Sequence, residues 1–190
     1  MSRGCAVRAD ARRNRERLLA AADSVFAEDG VAASTEEVAR RAGVGIGTVF
    51  RHFPTKVSLL EAVFVTRLRR LVDAADELAA AEQPGPAFFA FLDSVLDQSG
   101  EKRAFSDALA AEGLDVDVDS AAAAAKADLE RVGERLLRRA QRAGAVRADI
   151  GMPEVMVMLV GLSGIAEHAR GAPDVRDRAV RVLVDGLRPR

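Results

Sequence analysis

The sequence has no tryptophan and no tyrosine, a single cysteine and only two histidines in 190 residues. Each shortage closes off a class of chemistry. Without Tyr or Trp there is no phenol to act as acid or nucleophile, and no indole to stack on a ligand. One Cys excludes an intrachain disulfide framework or a four-thiolate zinc site, and fits a reducing cytosol. His52 and His168 alone leave little material for a histidine-rich metal centre. Long apolar runs are missing as well. The most apolar segment, residues 155–166, spans 12 residues, where a membrane helix needs about 20. The opening Met1-Ser2-Arg3-Gly4-Cys5-Ala6-Val7-Arg8 lacks the apolar stretch of a secretory leader. A soluble, cytoplasmic protein with no membrane partner is expected.

What is present is 49% apolar and 30% charged, the mix of a folded domain or two small ones. Ala and Arg dominate and β-branched runs are scarce, so the expected class is all-α. Leu18, Leu19, Ala22, Val25 and Phe26 keep helical spacing over residues 10–29, stopped by Asp29-Gly30. Ser34-Thr35-Glu36-Glu37 is a capping box that starts a second helix, which ends at Gly43. A short third helix runs from about Ile46 to Phe53 and stops at Pro54. A fourth carries Leu59, Leu60, Val63, Phe64, Leu68 and Leu71 as far as about Ala81. Gln83-Pro84-Gly85-Pro86 is the clearest linker signal. Beyond it are a helix with Phe88, Phe91, Leu92 and Val95, a shorter one with Phe105 and Leu109, and a long one over 119–143. Pro153 and Pro173 open two last helices near 152–169 and 173–187. That makes about nine helices: an N-terminal three-helix unit at 10–56 and a helical body at 57–190.

Charge separates the same two parts. Twenty-eight Lys and Arg against 29 Asp and Glu leave a net charge of -1. Residues 1–56 nevertheless hold ten basic residues against seven acidic ones, and the remainder 18 against 22. A basic head on an acidic body points to a nucleic-acid partner for the head.

Residues 35–53 place two short helices around a tight glycine turn, the pattern of a helix-turn-helix. Ala39 is small enough for a close helix crossing. Gly43 supplies the left-handed backbone of the turn. Val38, Ala42, Val44 and Val49 are the apolar positions that bury the corner. The outward face of the second helix is then Ile46, Gly47, Thr48, Phe50, Arg51 and His52. The same spacing also suits an ordinary helical corner.

Thr35, Val38-Ala39, Ala42-Gly43-Val44, Gly47-Thr48, Phe50, His52-Phe53, Lys56 and Leu59, at fixed spacing over residues 12–60, resemble the TetR-type (tetracycline repressor) family. The resemblance implies three DNA-binding helices, a connecting fourth, and five or six more in a ligand-binding, dimerising body. It implies phosphate contacts from Thr35, Thr48, Phe50, His52 and Lys56, and base contacts from the start of the recognition helix at Gly45, Ile46 and Gly47. Two positions depart from the family pattern. Gly45 stands where Ser is usual, which removes a hydroxyl cap. Phe50 stands where Tyr is usual, which removes a phosphate-binding hydroxyl. Arg51 can bond both acceptors of a guanine edge, or it is a solvated Arg paired to a nearby acid. His52 is either a DNA contact or a helix-end cap. Arg12, Arg13, Arg15 and Arg17 read as an arm toward DNA or as a solvated helix start.

The same resemblance makes the last two helices a dimer interface through Val155, Met158, Leu159, Leu162, Ile165, Val175, Ala179, Val182 and Leu183, although such stripes also serve as monomer core. Phe64, Leu68, Phe88, Phe91, Leu92, Val95, Phe105, Leu109, Leu129, Val132 and Met156 either line an apolar effector cavity or fill a core. Asp115, Asp117 and Asp119 begin like a calcium loop, but the Gly and Glu it requires are replaced by Ser120 and Lys126. His168 and Cys5 have no second ligand or thiol at working distance in sequence. No nucleophile–base–acid set or phosphate loop is visible, so neither a catalytic residue nor a cofactor is expected. The reading is a DNA-binding transcriptional regulator acting as a homodimer on a palindromic operator under a small effector. Its rival is a helical carrier or interaction module with a vestigial helix-turn-helix.

Overall fold

A computed structural model of the chain describes residues 3–111, 113, 118–168 and 173–189. Eight helices account for most of them: α1 (Arg3–Asp29), α2 (Thr35–Ala42), α3 (Ile46–His52), α4 (Lys56–Ala79), α5 (Pro84–Ala111), α6 (Val118–Arg142), α7 (Met152–His168) and α8 (Pro173–Gly186). Two helices differ from the sequence expectation. α1 starts at Arg3 and not near residue 10, because the first turns carry no apolar periodicity to read. The two helices expected around Phe88 and Phe105 are one, α5. Gly100 lies inside it, at the cost of about 1 kcal/mol that an interior glycine imposes. The side chains of Cys5, Phe105, Asp119, Ile165 and His168, and all of Asp115 and Asp117, lie outside the described residues.

Local chemistry sets the helix ends. Ser34 Oγ accepts from the Glu37 N–H at 3.2 Å, capping α2. The reciprocal half of the capping box is diverted. The Glu37 carboxylate bonds Arg40 at 2.6 and 2.8 Å, a contact that holds its pKa below the ordinary range despite opposing desolvation. At α4 the box closes on both sides with Ser in place of Glu. Ser58 N–H donates to Thr55 Oγ1 at 3.0 Å, and Thr55 N–H to Ser58 Oγ at 3.2 Å. Arg139 donates to the carbonyls of Ala79 and Ala81, satisfying orphan acceptors where α4 ends.

The chain divides into two compact units, residues 1–67 with 104–122, and residues 68–103 with 123–190. The division falls at Arg67/Leu68, eleven residues beyond the end of the basic segment, and α4, α5 and α6 each contribute to both units. The first unit buries Leu18, Leu19, Ala22, Val25 and Phe26 of α1 against Val38 and Ala39 of α2, Val49 of α3, and Leu59, Leu60 and Val63 of α4. Phe53 and Leu109 complete this core, and Ala42 and Val44 pack against it. In the second unit Phe88, Phe91, Leu92 and Val95 of α5, Leu136 and Leu137 of α6, and Val155, Leu159 and Leu162 of α7 are buried. Packing is tight at Gly133, where an added Cβ would lie 2.6 Å from Met152 Cε and 3.0 Å from Phe91 Cζ.

The turn between α2 and α3 depends on Gly43, whose φ of +67° is left-handed and whose N–H donates back to the end of α2. An added Cβ there meets nothing within 4 Å, so a substitution is opposed by backbone conformation alone. Gly43→Ala should therefore lower stability by about 1 kcal/mol, read as a fall of several degrees in Tm. An unchanged Tm would contradict the left-handed turn.

Candidate nucleic-acid interface

Six large apolar side chains are exposed among the described residues, and they fall in two places. Ile46 (37% exposed) and Phe50 (45%) stand on α3; Val157, Val160, Val175 and Val182 stand on α7 and α8. Val49 is buried to 1% exposure and anchors the helix. At 3.6 residues per turn Gly47 and Arg51 then lie opposite it and Phe50 on the flank, while Ile46, on the Val49 side, is exposed as the first residue of α3. Gly45 is the N-cap of α3 in extended conformation and makes no side-chain cap bond. An added Cβ at Gly45 or at Gly47 would meet nothing within 4 Å. The start of α3 is thus a bare edge that another molecule can approach closely.

The other expected contacts are distributed around this edge. Thr48 and His52 are half-buried; His52 ends α3, its ring 6.4 Å from that of Phe53 and tilted to it. The capping N–H at this helix end is the backbone of Phe53, not His52. Thr35 is buried to 9% exposure, its hydroxyl 3.5 Å from Glu36 Oε2. Lys56 donates from Nζ to the Ala32 carbonyl at 3.1 Å, tying the start of α4 to the loop between α1 and α2.

Ion pairing decides which cations of the first unit stay available. On α1, Arg12 lies 3.5 Å from Glu16, Arg13 pairs with Asp10, and Arg17 donates to Asn14. All three are exposed on α1. Arg40 and Arg41 on α2 are taken up by Glu37 and Glu28, and Arg67 by Asp23. Arg51 has no hydrogen bond or ion pair among the described residues. Arg51 is exposed, one turn on from Gly47, and free to meet an external acceptor.

The apolar residues of the body sort differently from the sequence expectation. Val155, Leu159 and Leu162 are buried within the single chain. Met158, Ala179 and Leu183 are half-buried; Val175 and Val182 are exposed. Val157 and Val160, at 73% and 70% exposure, were not singled out from the sequence. The signal was available: α7 is apolar all round from Val155 to Val160, and a helix with no polar face has two sides to cover.

Of the candidate cavity residues, Phe88, Phe91, Leu92, Val95, Leu129 and Val132 are buried in the second unit, with Met156 half-buried. Phe64 and Leu109 are buried as well, Leu109 in the core of the first unit, and Leu68 is buried where the second begins. An apolar cleft in the second unit is lined by Leu92 and Leu96 of α5, Val155, Met158, Leu159 and Leu162 of α7, and Leu183, Val184 and Leu187 around α8. Only Leu92 was among the candidate cavity residues. Gln98 Nε2 on α5 is buried without a hydrogen-bond partner among the described residues.

Comparison with known proteins gives these features a context. Residues 18–63 match the family model of bacterial regulatory proteins of the tetR family, and residues 83–189 match that of the SbtR-like transcriptional regulator C-terminal domain. A TetR transcription regulatory protein from Mycobacterium vanbaalenii is similar in structure, with TM-score 0.73 and 43% identity over 96% of this chain and 99% of that one. A TetR transcriptional regulator from Streptomyces coelicolor has TM-score 0.71 and 32% identity over 92% of this chain and 98% of the other. Among curated relatives, the uncharacterized HTH-type transcriptional regulator TtgW of Pseudomonas putida is 36% identical over 109 residues, 56% of this chain and 80% of its own length.

The interface predicts different roles for its two cations. Arg51→Ala should remove about 1–3 kcal/mol of discrimination at one base pair and flatten sequence preference. Lys56→Ala should weaken binding to all duplexes alike and, by releasing Ala32, lower Tm slightly. Competition titrations with matched and mismatched duplexes check both, and the opposite pattern would refute the assignment.

Proposed function

The chain belongs to the TetR family of DNA-binding transcriptional regulators, and from that premise we propose that it is a cytoplasmic, homodimeric repressor released from a palindromic operator by a small apolar effector. The observation that carries the DNA reading is the outward face of α3: Ile46, Phe50 and an unpaired Arg51 beside the bare Gly45–Gly47 edge. An exposed Ile suits a thymine methyl, and a free guanidinium suits the two acceptors of guanine. A phenylalanine at position 50 retains contact with the sugar–phosphate surface without a hydroxyl bond. Two copies would set their α3 helices in successive major grooves, about 34 Å apart.

The exposed Val157, Val160, Val175 and Val182, with Gly161 open beside them, support self-association through α7 and α8. Exposed apolar side chains concentrated on two neighbouring helices are the usual mark of a surface that a partner covers. The wholly apolar lining of the cleft formed by α5, α7 and α8 is what supports an apolar effector. Such a ligand shifts DNA binding only by favouring one of two conformations over the other. No helix among the described residues is long and apolar enough to cross a membrane.

Two measurements test this reading. Affinity for duplex DNA should fall linearly in log–log with salt, by about 10³–10⁵ between 50 and 200 mM for 6–10 phosphate contacts; binding that ignores salt counts against it. Val160→Glu should keep the helical circular-dichroism signal and convert the dimer to monomer in sedimentation, lowering Tm only by the stabilisation that association gave. A dimer that survives the substitution would place its interface elsewhere.

A further inference from the structure

We propose that Arg15 of α1 is a DNA-backbone contact, held ready beside the recognition helix by the ring of Phe53. The proposal rests on the DNA-binding reading above and adds to it a residue outside the helix-turn-helix. The Arg15 guanidinium carbon stands 5.0 Å from the centre of the Phe53 ring, within range of a cation–π contact. Phe53 is the C-cap residue of α3 and is almost fully buried, so the ring that carries Arg15 is fixed in the core of the first unit.

Spacing along α1 explains why Arg15 differs from its neighbours. Arg12 finds Glu16 four residues on, and Arg13 finds Asp10 three residues back. Around Arg15 those positions are Ala11, Arg12, Leu18 and Leu19, and none of them carries an acid. Arg15 has no hydrogen bond or ion pair among the described residues. Stacking occupies the face of a guanidinium and leaves its N–H groups free at the edge. The side chain is therefore both unneutralised and already ordered, which lowers the entropy lost when a phosphate arrives. A contact of this kind sets orientation on the duplex and reads no sequence.

The test uses the full-length chain with two probes, a duplex it selects from a random pool and a scrambled duplex of equal length. Arg15→Ala should weaken binding to both by the same factor, about tenfold, the low end for a charge-assisted hydrogen bond. It should also make the log–log salt slope shallower by about 0.9 for each bound protomer, with Tm unchanged. Phe53→Leu keeps the charge but removes the ring, so affinity should drop while the slope stays. The double variant should bind no more weakly than Arg15→Ala alone. Wild-type affinity and slope in Arg15→Ala, a loss of Tm without a change in slope, or a loss confined to the selected duplex would each overturn the proposal. If the wild-type chain binds neither duplex, the DNA reading itself falls and this proposal with it, an outcome distinct from an Arg15→Ala variant that matches wild type.

Discussion

The left-handed turn at Gly43 is the constraint from which the interface follows. With φ at +67° the chain reverses in three residues, and α3 returns across Ala39, whose methyl group allows the close crossing. Val38 and Val49 then meet the α1 side chains Leu18, Ala22 and Val25 in one core. Once Val49 points inward, the 3.6-residue repeat turns Gly47 and Arg51 to the opposite side and Phe50 to the flank, and Ile46 is exposed by its place at the start of the helix. A backbone torsion available cheaply to glycine thus determines which side chains are offered to DNA.

Electrostatics then selects among the charges. The net charge of -1 speaks against a nucleic-acid partner, but the excess of cations in residues 1–56 speaks for one. The ion pairs refine this further. Acids one turn away neutralise Arg12, Arg13 and Arg40, while Glu28 and Glu37 hold Arg41. Exposed pairs of this sort add little stability, about 0–1 kcal/mol each. Among the described residues they leave Arg15 and Arg51 without an acidic partner, and Arg51 stands on α3 with the exposed Ile46 and Phe50.

Much of the fold was legible because its signals are local. The Ser34 cap, the Gly43 turn and the Pro54 stop lie in the sequence itself, and α2, α3, α6, α7 and α8 fall within a residue or two of the expected bounds. The start of α1 and the continuity of α5 through Gly100 were not legible, since the first has no apolar periodicity and an interior glycine is only a weak breaker. The candidate α3 residues were recognisable from their fixed spacing. The Lys56 bond to Ala32 and the burial of Thr35 arise from tertiary placement, which a motif does not encode. Sorting the α7 stripe into a buried side with Val155 and Leu159 and an exposed side with Val157 and Val160 required the same information. A helix apolar all round states that both sides are covered, not by what.

The central claim is that α3 reads a specific DNA sequence, and that two copies of the chain read it together. Selecting bound duplexes from a random DNA pool tests this most directly. The account predicts enrichment of an inverted repeat whose half-sites lie about one helical turn, or a multiple of it, apart. A pool that emerges without a common sequence, or with a single unrepeated site, would contradict it.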